Sequence, residues 1–204
     1  MNLDHVFLDL AVTHPNPRIG QIVGIAVVRT DRKGKVLADF SSKIRPATDL
    51  SDEEKDTYGD DVVDTSGDSF VDVIKSMKRK ILNESRFEDS FVVIGTHAEN
   101  DRTFLRNVTE DDPEVFGKRA WLDILILAWP LYHNDMISDR SFDSLCKHFK
   151  VENSAPNTAM GDCEALVRAY WALAKRYKTA LGGEEILREV GGTPLEKFRT
   201  IVGL

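Results

Sequence analysis

Apolar runs separated by polar connections open the chain, in the manner of neighbouring strands. The first run spans residues 6–10 and contains one carboxylate, Asp9, and the second spans 22–28. The Pro- and Asn-rich connection between them predicts a reversal of the chain. A polar turn that contains glycine leads into a third run, 36–44, and this pattern predicts three antiparallel strands.

Helical and strand patterns alternate through the rest of the chain. A short apolar run that ends in glycine, 91–95, predicts a fourth strand in the interior of the sheet. The segment 121–132 fits a strand or a helix equally well, because a short apolar run has no decisive periodicity. Four helices are predicted from apolar spacing and caps: 69–84, a helix from Asp101 to Val108, 141–149 and 159–177.

The length of 204 residues suits one well-buried core. The order of elements predicts a single α/β domain over residues 1–177, with a mixed central sheet flanked by helices. A helical tail, 178–204, is expected to pack on this domain or extend from it, and the pair Thr193-Pro194 predicts its last helix. The acidic segment 46–67 is expected to be a surface excursion with one helical turn.

Charge and composition limit the classes of function that are compatible with the sequence. The net charge of −7 argues against a protein that coats nucleic acid through bulk electrostatics, but it is compatible with carboxylates that hold metals. The basic cluster 75–80 is interpreted as a solvated helix face. No apolar run is long enough for a membrane span, and no secretory leader is evident. Two cysteines, Cys146 and Cys163, make no disulfide framework, so a cytoplasmic location is expected.

Three aspartates are candidates for chemistry. Asp9 lies in the first strand, where a carboxylate is costly unless it is paired or binds a cation. An exposed edge strand, with Asp9 facing water, is the ordinary alternative. Asp101 lies at a strand-to-helix junction and Asp162 near the start of a long helix, where an aspartate is commonly only a cap or dipole partner.

The surroundings of these aspartates are more informative than each residue alone. The local sequences are FLDL around Asp9, GTHAENDRTFL around Asp101 and PNTAMGDCEA around Asp162. In order and spacing they resemble the three motifs of DEDD-type 3′–5′ exonucleases, in particular the branch with a histidine base, which have the ribonuclease-H-like fold. The resemblance covers residues 6 to about 175 and includes the segment 121–125.

The resemblance implies a two-metal phosphodiester hydrolase. In this family two Mg²⁺ or Mn²⁺ ions clamp the scissile phosphate, and one of them activates a water molecule. By analogy Asp9 would bridge both ions, Asp162 would hold the ion on the nucleophile side, and Asp101 would support the other ion. The expected partner is the 3′ end of a single-stranded nucleic acid or a nucleotide, with a replication or repair protein as a further possible partner.

The sequence departs from the family pattern at the residues that make the nucleophile. The family has Glu two positions after the first Asp, where this chain has Ala11, and strand alternation puts this position on the same face as Asp9. The family's base is replaced by Asn157, whose amide can orient water but does not take its proton. Thr158 stands where the tyrosine branch has Tyr, and Val12 replaces a small polar residue.

Three functions are compatible with this pattern. We favour a pseudo-exonuclease that binds nucleic-acid ends with lost or strongly reduced hydrolysis, because Ala11 and Asn157 both affect the nucleophile. An active exonuclease that uses Asp9, Asp101 and Asp162 with an unconventional base is the first alternative. An active enzyme inactivated by an engineered substitution at residue 11 is the second. His14 and His97 are the nearest substitutes for the missing base.

Overall fold

The structure is a computed structural model, and its described residues are 4–52, 67–82, 91–108, 116, 119–133, 137 and 139–179. Five strands form one sheet: β1 (Asp4–Val12), β2 (Ile22–Thr30), β3 (Val36–Lys43), β4 (Phe91–Gly95) and β5 (Ala120–Asp123). Their order across the sheet is β3-β2-β1-β4-β5. β2 pairs antiparallel with β1 and β3, whereas β4 pairs parallel with β1 and β5. The sheet is therefore mixed, and the three predicted antiparallel strands are confirmed.

The described residues include six α-helices: α1 (Phe70–Met77), α2 (Ala98–Val108), α3 (Ile124–Leu127), α4 (Trp129–His133), α5 (Phe142–Phe149) and α6 (Ala159–Thr179). At its C-terminal end α1 widens into a π-helical turn, Lys78–Leu82. The side chains of Ser69 and Ser141 cap α1 and α5 by accepting backbone N–H hydrogen bonds. Over their described residues, the predicted helices 69–84, 141–149 and 159–177 are confirmed.

Two expectations about the middle of the chain were wrong or incomplete. α2 begins at Ala98 rather than at Asp101, because the Asp123 carboxylate accepts a hydrogen bond from the Ala98 N–H, at 3.2 Å. This contact satisfies one of the backbone donors that a helix N-terminus leaves free. The segment 121–132 is both strand and helix: β5 ends at Asp123, which caps α3 by accepting from the Leu125 N–H, at 2.8 Å.

β1 lies in the middle of the sheet, and its alternate side chains face two different helical layers. Val6, Leu8 and Leu10 pack into the core formed with α1 and α2. Phe7 packs into the other core, together with the buried face of α6. Strand alternation places Asp9 on the side of Phe7 and α6. The expectation of an exposed edge strand is therefore excluded, and Asp9 is half-buried.

The basic cluster 75–80 is a solvated face as predicted, because Lys75, Arg79 and Lys80 are exposed. Residues 53–66 of the predicted acidic excursion and almost all of the predicted tail 178–204, with its Thr193-Pro194 helix start, lie outside the described residues. The domain boundary at 177 therefore stays a prediction. No helix in the described part of the chain is long and apolar enough to span a membrane.

Candidate active site

The C-terminal half of β1 carries the first candidate residue beside two small cross-strand neighbours. Asp9 lies opposite Ala26 of β2, and Ala11 lies opposite Gly24. A Cβ atom added to Gly24 would lie 3.2 Å from the Cβ atom of Ala11. Positions 9 and 11 point to the same face of the strand, as the sequence predicted. Gly24 and Ala11 thus pack closely across the strands, and residue 11 contributes no oxygen to this face.

The start of α6 lies against this part of β1. The thiol of Cys163 is fully buried and donates a hydrogen bond to the Phe7 carbonyl, at 3.5 Å. This contact brings the adjacent Asp162 towards Asp9. Burial and then the charge of Asp162 raise the pKa of Asp9 to about 8. Asp9 and Asp162, which are far apart in sequence, are thus electrostatic neighbours in the fold.

Asp101 approaches Asp9 from the first turn of α2. Its side chain is buried, and its Oδ2 atom has no hydrogen-bond partner among the residues that the structure describes. A Cβ atom added to Gly95, the last residue of β4, would lie 3.3 Å from this oxygen. Burial, then the charge of Asp9, then that of Asp123 raise the pKa of Asp101 well above its ordinary value. Asp9 therefore interacts with both of the other predicted aspartates.

Asp162 is held by the loop that precedes α6. Its Oδ1 atom accepts a hydrogen bond from the Asn153 side-chain amide, at 2.6 Å, and the backbone N–H of Asn157 also donates to its carboxylate. Burial raises the pKa of Asp162, and these two hydrogen bonds act in the opposite direction. Sequence reasoning missed Asn153, whose only signal was its position in a polar segment before the helix.

The two residues in the family's base positions have structural roles in this loop. Asn157 has a φ of 64°, in the left-handed region, and contacts Asp162 through its backbone N–H while its side chain is exposed. Asn adopts this region more readily than most residues. The hydroxyl of Thr158 accepts from the Gly161 N–H at 3.2 Å and donates to the Ala155 carbonyl at 2.7 Å. Thr158 thus acts as the cap of α6.

Four other polar residues near the motifs are exposed to solvent. His14 is exposed, and its Nδ1 accepts from the Asn16 N–H at 3.0 Å. His97 is exposed, at a φ of 55°. Glu99 and Glu164 are exposed and form ion pairs with arginines on their own helices, each at 3.6 Å. The expectation that Glu164 points away from the site agrees with this pairing.

A loop of residues 13–20 flanks the site on the side of α2. The side-chain amides of Asn100 and Asn107, both on α2, donate to the carbonyls of Pro15 and Pro17 at 3.0 and 2.9 Å. At the tip of this loop, Arg18 is exposed and 62% of Ile19 is accessible. The loop is therefore fixed to the helix that carries Asp101, and it presents one cationic and one apolar side chain to solvent.

The three aspartates fit a divalent cation only in part. Carboxylate oxygens are what Mg²⁺ and Mn²⁺ prefer, and the buried Oδ2 of Asp101 is an available acceptor. However, within the described ranges no three His, Cys, Asp or Glu side chains are grouped closely enough to hold one ion. In addition, Oδ1 of Asp162 already accepts from Asn153. The donor chemistry fits a cation, but the arrangement does not complete a metal site.

A mixed five-stranded sheet in the order β3-β2-β1-β4-β5, with Asp9 on its middle strand, agrees with the ribonuclease-H-like fold that the sequence predicted. The family model described as Exonuclease matches residues 6–170, and the chain belongs to this family, as the sequence predicted. No curated protein matches the sequence.

Solved structures of E. coli exonuclease I share the fold. The zinc-bound form of its complex with single-stranded DNA has a TM-score of 0.71 at 16% identity, over 93% of this chain and 43% of that chain. A complex with a dA16 oligonucleotide has a TM-score of 0.65 at 16% identity, and the match covers 85% of this chain and 41% of that chain. A complex with a dT13 oligonucleotide has a TM-score of 0.64 at 17% identity, with the match again covering 85% of this chain and 41% of that chain. The chain spans about two fifths of the length of these proteins.

Proposed function

We propose that the protein binds the 3′ end of a single-stranded nucleic acid at the acidic site beside Asp9, with phosphodiester hydrolysis lost or strongly reduced. Membership of the exonuclease family supports the choice of ligand. Three of the E. coli exonuclease I structures that share the fold are complexes with single-stranded DNA or an oligonucleotide. Because this chain spans only part of those proteins, their ligands support the proposal through the shared domain alone.

The observation that carries the loss of hydrolysis is the bare face of β1 at residue 11. A nuclease of this family needs a second carboxylate there, and the Ala11 side chain ends at Cβ beside Gly24. Asn157 adds to the loss, since its exposed amide has no basic nitrogen for a proton. Both differences affect how a water molecule is activated, and neither removes the surface on which a strand would lie.

The 13–20 loop supplies the contacts that we propose for the strand. The exposed guanidinium of Arg18 suits a phosphate oxygen, and the exposed side chain of Ile19 suits the face of a base. Asn100 and Asn107 hold the loop in place, which lowers the ordering cost of binding. These contacts do not require a metal ion, so they would persist in a protein with a weakened cation site.

The proposal includes weak binding of Mg²⁺ or Mn²⁺ by Asp9, Asp101 and Asp162. It also includes a cytoplasmic location, with which the two free, buried cysteines agree. A replication or repair protein is the proposed macromolecular partner. An active metal-dependent 3′–5′ exonuclease is the second candidate, favoured by the electrostatic coupling of Asp9 to Asp162 and of Asp101 to Asp9.

Fluorescence anisotropy of a labelled single strand tests the binding claim. In EDTA, we expect a linear strand with a free 3′ end to bind and a circular strand of the same composition to compete at least about tenfold less well. Arg18→Ala should weaken this binding, whereas Arg79→Ala, on the distant solvated face of the π-helical turn, should not. Equal competition by circular and linear strands would exclude recognition of ends.

A further inference from the structure

The side chain of Asn153 is fixed at both ends of its amide. Its Oδ1 atom accepts the Ala155 N–H at 3.1 Å, and its Nδ2 atom donates to Oδ1 of Asp162 at 2.6 Å. A rotation by 180° would place Oδ1 against the carboxylate and the amide N–H₂ against the Ala155 N–H. Both alternatives are repulsive, so the amide has one orientation. It therefore presents a hydrogen-bond donor to Asp162 and nothing else.

The loop around Asn153 is in turn fixed to the start of α6. A Cβ atom added to Gly161 would lie 2.1 Å from the Ala155 carbonyl oxygen, so the loop backbone contacts the helix where only glycine fits. Thr158 bonds the same carbonyl through its hydroxyl. The contact between Asn153 and Asp162 thus belongs to a preformed loop.

We propose that Asn153 is a positioning residue that takes the place of a divalent cation on Asp162, so that it keeps the cation site weak. This proposal rests on the proposed function, because it supplies a reason for weak metal binding beyond the missing carboxylate at residue 11. Oδ1 is one of the two carboxylate oxygens with which Asp162 could hold an ion, and the Asn153 amide already donates to it. An ion that binds there has to break a charge-assisted hydrogen bond, which is stronger than a neutral one.

Whether Asn153→Ala raises or lowers the affinity for Mn²⁺ distinguishes a residue that blocks the ion from one that only supports the loop. If Asn153 blocks the ion, Asn153→Ala should tighten Mn²⁺ binding roughly tenfold, measured by electron paramagnetic resonance of free Mn²⁺. If Asn153 only orients Asp162 as a ligand, its removal should weaken Mn²⁺ binding, because partners that orient metal ligands raise affinity. Weaker or unchanged binding in the variant would overturn the proposal.

A second variant covers the case in which Asn153→Ala disturbs the loop. Asn153→Asp keeps an oxygen that can accept the Ala155 N–H and replaces the donor that faces Asp162 with a second oxygen. We expect it to tighten Mn²⁺ binding more than Asn153→Ala, since it removes the blocking group and adds a hard ligand. Arg79→Ala, on the exposed face of the π-helical turn and outside the binding loop, should leave Mn²⁺ binding unchanged.

The wild-type protein and the Asn153 variants also test the role of Asn153 and the proposed function independently of each other. Anisotropy of a labelled single strand in EDTA measures end binding without any ion. If the wild-type protein fails to bind the strand while the Asn153 variants gain Mn²⁺ affinity, the proposed function is wrong and the role of Asn153 stands. If the strand binds while the variants gain nothing, the role of Asn153 is wrong and the proposed function stands.

Discussion

The thiol of Cys163 on α6 donates a hydrogen bond to the carbonyl of Phe7 on β1, at 3.5 Å. Both residues are fully buried, so the first turn of the helix is fixed against the middle strand of the sheet. Asp162 precedes Cys163, and Asp9 follows Phe7 on the same face of β1. This packing contact brings together two carboxylates that are far apart in the sequence, and the charge of Asp162 raises the pKa of Asp9.

The first prediction concerns the pKa of Asp9. Replacing Asp162 with Asn removes a like charge, so the pKa of Asp9 should fall from about 8 while remaining above its ordinary value, since burial is the larger cause. Carboxyl-carbon NMR titration of the metal-free protein measures this shift. Glu164→Gln changes an exposed carboxylate that pairs with Arg168 and should leave the pKa of Asp9 unchanged. An Asp162→Asn protein with the wild-type value would show that the two groups are not coupled.

The second prediction concerns stability against pH. Burial raises the pKa of Asp9 to about 8 in the folded protein from its ordinary value of 3.8, so the folded state binds more protons between these pH values than the unfolded state does. The free energy of unfolding should therefore fall as pH rises from about 4 to about 8, by up to about 1.4 kcal/mol per pH unit for this group. Asp101 adds a dependence of the same sign, because its pKa is also raised.

Urea unfolding in EDTA across this pH range measures that slope. Asp9→Asn removes one titrating group and should flatten the curve and stabilise the protein at pH 8. Asp39→Asn removes a carboxylate that is exposed and pairs with Lys80, so this variant is the control and should show the wild-type slope. A wild-type protein whose stability rises from pH 5 to pH 8 would contradict the burial of a protonated Asp9.

The third prediction concerns Asp123, which joins β5 to two helices. Its carboxylate caps α3 through the Leu125 N–H and binds the Ala98 N–H at the start of α2. Asp123→Ala should therefore lower the free energy of unfolding by about 1–3 kcal/mol, because it removes a cap and leaves a second donor without this partner. Chemical denaturation measures the change. Asp39→Ala, which breaks only an exposed ion pair with Lys80, should cost less than about 0.5 kcal/mol.

Much of this fold could be predicted from local patterns. Phe7 and Asp9 fall on one face of β1 by strand alternation, and the buried residues of α6, such as Leu166 and Tyr170, follow helical spacing. The start of α2 at Ala98 could not be predicted, because it depends on the carboxylate of Asp123 at the end of β5. The contact of Asn153 with Asp162 was missed for the same reason: a side-chain contact across a loop leaves no periodic pattern.

The fourth prediction concerns Gly161. Because a Cβ atom there would meet the Ala155 carbonyl oxygen at 2.1 Å, Gly161→Ala should force the loop away from α6. We expect a loss of about 1–3 kcal/mol in the free energy of unfolding, together with release of Asn153 from Asp162. Urea denaturation and the Asn153 side-chain amide NMR signals measure the two effects. Glu164→Ala, at an exposed position of the same helix, should change neither the stability nor the Asn153 signals. Unchanged stability in Gly161→Ala would contradict the close packing of the loop on α6.

The fifth prediction restores the two groups that the site lacks. Ala11→Glu places a carboxylate on the Asp9 face, opposite Gly24, which has no side chain, and Asn157→His supplies a basic nitrogen. The double variant should bind Mn²⁺ more tightly than the wild-type protein and should release nucleotides from a single strand with Mn²⁺ present. Isothermal titration calorimetry and a gel assay measure these outcomes. Leu37→Glu, at an exposed position of the edge strand β3, is the control that adds a carboxylate away from the site.

Release of mononucleotides from a 3′-labelled single strand by excess wild-type protein with Mn²⁺ decides whether hydrolysis is lost. We predict that the strand binds and that release is no faster than with Asp9→Ala. A wild-type rate in the ordinary enzymatic range, on the order of 1–10³ s⁻¹, that Asp9→Ala abolishes would contradict this prediction and would identify an active exonuclease.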